Sequence, residues 1–123
     1  MSTDLRVVLT TEADQIKADA LAEQLITRRL AACITSMPVQ SCYRWQGKIE
    51  RAQEVQLLIK TSSQRLEELR SALEALHSYD TPEILQMAAQ AGAAYAAWAL
   101  GALSPDAASS ALEARPGNEH PAG

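Results

Sequence analysis

"AACITSMPVQSCYRWQGKIERAQEVQLLIK", residues 31 to 60, decides the architecture of this chain. Its two halves, 31–45 and 48–60, read as long strands that meet at Gln46-Gly47, where glycine supplies the positive φ of a tight hairpin turn. Pro38 has no N–H to give to a ladder, so the first strand must lie at a sheet edge or carry a bulge there. A long central hairpin is the frame onto which the other segments are added.

On its C-terminal side, "TSSQRLEELRSALEALH" (61–77) opens with a capping-box pattern from Thr61 to Gln64 and sets Leu66, Leu69, Leu73 and Leu76 on one helical face. On its N-terminal side, "LRVVLTT" (5–11) predicts a short strand. "TEAD" (11–14) then predicts a helix start with Thr11 as cap, and Ala18, Leu21, Ala22 and Leu25 mark the apolar stripe of a helix over 13–29. "PEILQMA" (82–88) predicts a strand entered by proline, and "AGAAYAAWALGAL" (91–103) an alanine-rich final helix. The order βαββαβ plus a helix predicts an α+β, ferredoxin-like domain over 1–103, with both crossover helices on one face of the sheet. Residues 104–123 carry a single leucine and predict a flexible tail in which His120 is merely solvated.

Composition excludes several functions. Eleven Lys and Arg against fifteen Asp and Glu give a net charge of -4, which offers no basic field to nucleic acid or an anionic membrane. The predicted central strands also lack the aromatics of an RNA-binding sheet. No apolar run spans a bilayer and no signal peptide opens the chain, so a cytoplasmic location is expected. Cys33 and Cys42 are nine apart on one predicted strand, on opposite faces and about 30 Å apart, too far for a disulfide. No nucleophile elbow, phosphate loop or zinc motif is present, so no enzyme is expected.

Two places could carry function. "HSYDTPEIL" (77–85) sets His77, Asp80 and Glu83 close together in sequence. His77 either caps the end of the second helix or joins Glu83 as a borderline metal ligand. In "YRWQGKIE" (43–50), Tyr43 and Trp45 lie on the same strand face beside the turn. Strands of about 13 residues overhang their shorter neighbours, which exposes backbone that another copy of the chain would pair by strand addition. Aromatic rings on such an overhang predict a partner surface.

Together, "RRLAACI", "YRWQGKIE", "EVQLLIKT", "HSYDTPEI" and "YAAW" resemble the CutA divalent-cation-tolerance family from about Leu5 to Leu103. The resemblance implies a PII-like protomer in a tight homotrimer, with Tyr43 and Trp45 at the trimer interface. It also implies a metal-response role and a divalent cation, copper, held weakly through His77 and Glu83. The first-strand position where copper-binding members carry cysteine is Thr10 here, the leading histidine position is Leu76, and the usual proline after His77 is Ser78. A second reading implied by the PII-like form is a small anionic metabolite in an intersubunit cleft near Lys60 and Tyr79.

Overall fold

A computed structural model of the chain describes residues 2–105. The elements run β1 (Ser2–Glu12), α1 (Gln15–Thr27), β2 (Cys33–Trp45), β3 (Lys48–Ser62), α2 (Leu66–Leu76), β4 (Leu85–Ala91) and α3 (Ala93–Leu103). The expected tail lies, from residue 106 on and His120 with it, outside the described residues.

The four strands form one antiparallel sheet in the order β2-β3-β1-β4, the ferredoxin-like arrangement. β2 is an edge strand, and Pro38 pairs with Val55 in unbroken register, so the proline is accommodated by the edge and not by a bulge. The unbroken strand puts Cys33 and Cys42 on opposite faces, one buried and one exposed, neither in a disulfide. At the hairpin tip both Gln46 (φ 50°) and Gly47 (φ 79°) are left-handed, as a two-residue primed turn requires.

Alternation along the strands separates two faces. On one, Val8, Val55, Leu57 and Ile59 pack with Ala18, Leu21 and Leu25 of α1 and Leu69, Ala72 and Leu73 of α2. Both crossover helices therefore cover the same face, as predicted. Among the described residues the opposite face is covered only at one end, where Leu5 meets Ala96 and Ala99 of α3.

Both predicted capping boxes are displaced. Thr11 is a buried strand residue, and α1 is capped instead by Asp14, whose Oδ1 accepts from Lys17 N at 2.8 Å. Thr61 likewise belongs to β3, where its hydroxyl donates to Leu30 O at 2.8 Å, and α2 begins at Leu66. In both cases β1 and β3 go on pairing with each other, so the extended backbone wins over the local helix signal.

α1 closes with Leu30 N on Leu25 O (2.9 Å) and Arg29 N on Ile26 O (3.0 Å), which forces Arg29 into the left-handed region at φ 58°. Glycine usually takes that position. Here the arginine side chain is used: Nη1 donates to Ala102 O at the end of α3, and Arg65 donates to Leu103 O at 3.0 and 3.2 Å. Two cations thus cap the carbonyl end of a helix that has no basic residue in its own last turn. Arg29→Ala keeps the strained φ and loses the cap, so it should destabilise the fold by about 1–2 kcal/mol, while Arg29→Gly relieves the strain and should cost about 1 kcal/mol less. Urea-unfolding midpoints of the two variants at equal protein concentration check this order.

Candidate functional site

The end of β1 and the end of α2 meet in a buried polar cluster. Along β1, Val8, Thr10 and Glu12 alternate onto the helix-covered face, so the strand's last residue carries a carboxylate inward. The Glu12 side chain is 2% exposed and that of His77 is 0% exposed. Glu12 Oε1 accepts from Ala13 N at 3.2 Å and from the Ser78 hydroxyl, and Oε2 accepts from Ser78 N at 3.1 Å. A buried carboxylate is tolerable only when its lone pairs are met in this way.

His77 caps α2 through its backbone N–H on Leu73 O and turns its ring inward. Tyr79 N–H can only donate, so Nδ1, 3.0 Å away, is the acceptor. Nε2 therefore carries the hydrogen and donates to Thr11 O at 2.7 Å, with Thr10 Oγ1 at 3.1 Å beside it. Thr10, the position where the resemblance would place a cysteine, is thus filled by contact with the imidazole. Glu12 Oε2 lies 3.6 Å from Nδ1. Both ring nitrogens are engaged, and no ring edge is open to an ion.

Beyond His77, the turn carries Tyr79 outward to the hairpin, where its hydroxyl donates to Glu54 Oε2 at 2.8 Å. Burial pushes the Tyr79 hydroxyl above the ordinary tyrosine range, and the hydrogen bond to Glu54 and the charges of Glu54 and Glu12 push it further. A hollow of about 470 Å³ opens beside this contact, bounded by Asp14 at the start of α1 and by Pro38, Gln40, Gln53 and Glu54 of the hairpin.

The remaining predicted residues lie elsewhere. Glu83 is exposed in the turn before β4. Among the described residues no group of three or more His, Cys, Asp and Glu side chains is placed to hold a metal ion, so the residues of one copy do not fit a built metal centre. Lys60 is half-buried, with Nζ 3.9 Å from Cys33 Sγ and 5.8 Å from the centre of the Tyr95 ring. Glu54, to which Tyr79 is bonded, is six residues from Lys60 on the same strand face, about 20 Å at the strand rise. The structure does not bring Lys60 and Tyr79 into one subsite. Tyr43 and Trp45 are exposed, 46% and 56%, on the hairpin. Glu12 was not singled out by sequence, although its phase with Val8 and Thr10 is the signal that points it inward.

A ferredoxin-like sheet with a doubly long hairpin, a helix-to-strand turn locked on a buried carboxylate and a short C-terminal helix defines a class of small α+β proteins built on this frame. The family model for the CutA1 divalent ion tolerance protein matches residues 6–101, and the chain belongs to that family. It is 42% identical over 90 residues to the divalent-cation tolerance protein CutA of Pectobacterium atrosepticum, covering 72% of this chain and 82% of that one. The structure of CutA from Synechococcus elongatus superposes with a TM-score of 0.81 at 40% identity, covering 84% of this chain and 93% of that one. The periplasmic divalent cation tolerance protein CutA of Archaeoglobus fulgidus gives 0.79 at 31% identity, covering 81% and 99%. The family is named for ion tolerance and not for a reaction. Among the described residues no helix is long and apolar enough to cross a membrane.

Glu12→Ala would leave the Ser78 and Ala13 amides without their acceptor and should cost about 3 kcal/mol in chemical unfolding. Tyr79 has a raised folded-state pKa, so its contribution to stability is complete below the ordinary tyrosine range and is lost as the pH climbs through the raised value. In an ultraviolet titration, Tyr79→Phe should remove the most alkaline tyrosine step, together with that loss of stability.

Proposed function

We propose that the chain works as a non-enzymatic homotrimer of the divalent-cation-tolerance type, in the cytoplasm, meeting copper(II) and similar cations only weakly. The uncovered half of the sheet carries this reading. Across the face opposite α1 and α2, Leu85, Leu9 and Leu58 form one row, and Met87 and Val7 lie beside them. Leu85, Met87 and Met37 are 54%, 47% and 46% exposed. Beyond Glu12, the last β1 residue paired with β3, seven further β2–β3 pairs project as a two-stranded ribbon. Such a ribbon is marginal alone, and an apolar sheet face of this extent marks an association surface. The β4 edge has no charged side chain to discourage pairing with another strand. The family resemblance favours three copies.

In this reading His77 is a structural residue, and a cation is met by exposed carboxylates such as Glu83. The backbone groups that hold both imidazole nitrogens leave no free base, which supports a non-enzymatic role. Two cysteines outside any disulfide suit a reducing compartment.

A second reading rests on Lys60, whose half-buried ammonium has a thiol and an aromatic ring as neighbours and no carboxylate among the described residues. A small anionic metabolite in an intersubunit cleft would neutralise it, as in a PII-like signalling module.

Native mass spectrometry with and without copper(II) tests the first reading. The expected result is three times the chain mass, with copper lost on desalting and equal uptake by His77→Ala. A monomer at micromolar concentration would sink the assembly, and stoichiometric copper that His77→Ala loses would overturn the structural role of His77. For the second reading, a thermal-shift screen of nucleotides and organic acids should find a stabiliser that Lys60→Met no longer feels. A ligand at 100 times its Kd adds about 2.7 kcal/mol.

A further inference from the structure

We infer that Cys33 and Lys60 are a redox modification site: peroxide converts the Cys33 thiol to a sulfenic acid, and the Lys60 amine closes on that sulfur in a reversible sulfenamide cross-link. The two residues are direct partners in the β2–β3 ladder, so their side chains leave the sheet on the same face. Lys60 Nζ donates to Cys33 Sγ at 3.9 Å and lies 5.8 Å from the centre of the Tyr95 ring, which gives the amine a second anchor from α3. No carboxylate among the described residues pairs with it and draws it away from sulfur. The hydroxyl of the same Tyr95 is buried and, among the described residues, has no hydrogen-bond partner, so this patch has polar capacity not otherwise used.

Burial decides which products are open to the sulfur. Cys33 is 7% exposed, so peroxide, little larger than water, can reach it where a peptide-sized thiol cannot. Cys42 stands nine residues along the same strand on the opposite face, about 30 Å away, and cannot resolve the sulfenic acid as a disulfide. A sulfenic acid with no thiol in reach condenses with a nitrogen or goes on to the irreversible sulfinic acid. The nitrogen in contact here is Lys60 Nζ. In the first step sulfur attacks one peroxide oxygen, the O–O bond breaks and the other oxygen leaves as hydroxide, which becomes water. In the second, the lone pair of the neutral amine attacks sulfur, and the N–S bond forms as the S–O bond breaks. The hydroxyl leaves as water with a proton from nitrogen. Thiol, amine and peroxide thus give one N–S bond and two waters, with sulfur oxidised by two electrons and peroxide reduced by two. A small dithiol attacking the sulfur cleaves the bond and returns the amine. The cross-link removes the Lys60 charge, so the cationic character of this face comes under the control of peroxide. The inference depends on neither reading proposed above.

Peptide mapping of the full chain carrying Cys42→Ser tests it, because residues 30–44 form one tryptic peptide that holds both cysteines. The folded protein is exposed briefly to hydrogen peroxide, the reaction is ended with catalase, and the chain is digested without reductant. Trypsin should no longer cleave after Lys60, and the peptide carrying Lys60 should be joined to 30–44 with the loss of two hydrogens. Dithiothreitol should separate the two and restore cleavage. Adding Lys60→Met or the charge-preserving Lys60→Arg should abolish the joined peptide and leave Cys33 with two added oxygens, as sulfinic acid, while circular dichroism shows the fold intact. A Cys33 that stays reduced with Lys60 present, or that becomes sulfinic acid there with no joined peptide, would overturn the inference. So would a joined peptide that survives Lys60→Met.

Discussion

The structure turns on a mismatch of strand length. β2 and β3 run 13 and 15 residues, while β4 has only seven and β1 stops at Glu12. Every residue of the hairpin past that point must find partners outside the sheet or rely on solvent. The two crossover helices cannot supply them, because their apolar stripes are already spent on Val8, Val55, Leu57 and Ile59. Among the described residues nothing covers the opposite face except α3, which lies on Leu5. A single copy is therefore well packed on one side only, and its unsatisfied side carries the residues that suggest a role.

The buried cluster at the other end of the hairpin's base answers a different requirement. β1 must stop, and α2 must deliver its turn to the right height for β4 to pair in register. Glu12 accepts the Ser78 amide and hydroxyl, and His77 bridges Thr11 O and Tyr79 N, so two elements 66 residues apart end against each other. Tyr79 then extends the tie to Glu54 at the root of the ribbon. A histidine that looks like a ligand in the sequence has, in three dimensions, both ring nitrogens engaged by backbone groups.

Much of the fold was legible because its signals are local. Gln46-Gly47 needed only turn chemistry, and Leu69 and Leu73 needed only helical spacing. The helix starts at Thr11 and Thr61 were misread because a threonine followed three residues on by Asp or Gln is a weak local preference, and β1–β3 pairing outweighs it. Lys60 was read as the end of a strand that runs on to Ser62, and its distance from Tyr79 depends on where the turn after α2 meets β3, at Glu54. Glu12 was not singled out because nothing within ten residues tells that Ser78 will meet it. The overhang was legible from strand lengths alone.

The capping of α3 by Arg29 and Arg65 has a consequence for the order of events in folding. That helix carries no charge of its own and its last carbonyls are met by one side chain from each crossover. Its last carbonyls find these donors only once both crossovers have closed over the sheet. The end of the sheet that this helix covers, at Leu5, is consequently closed after the crossovers and not before them.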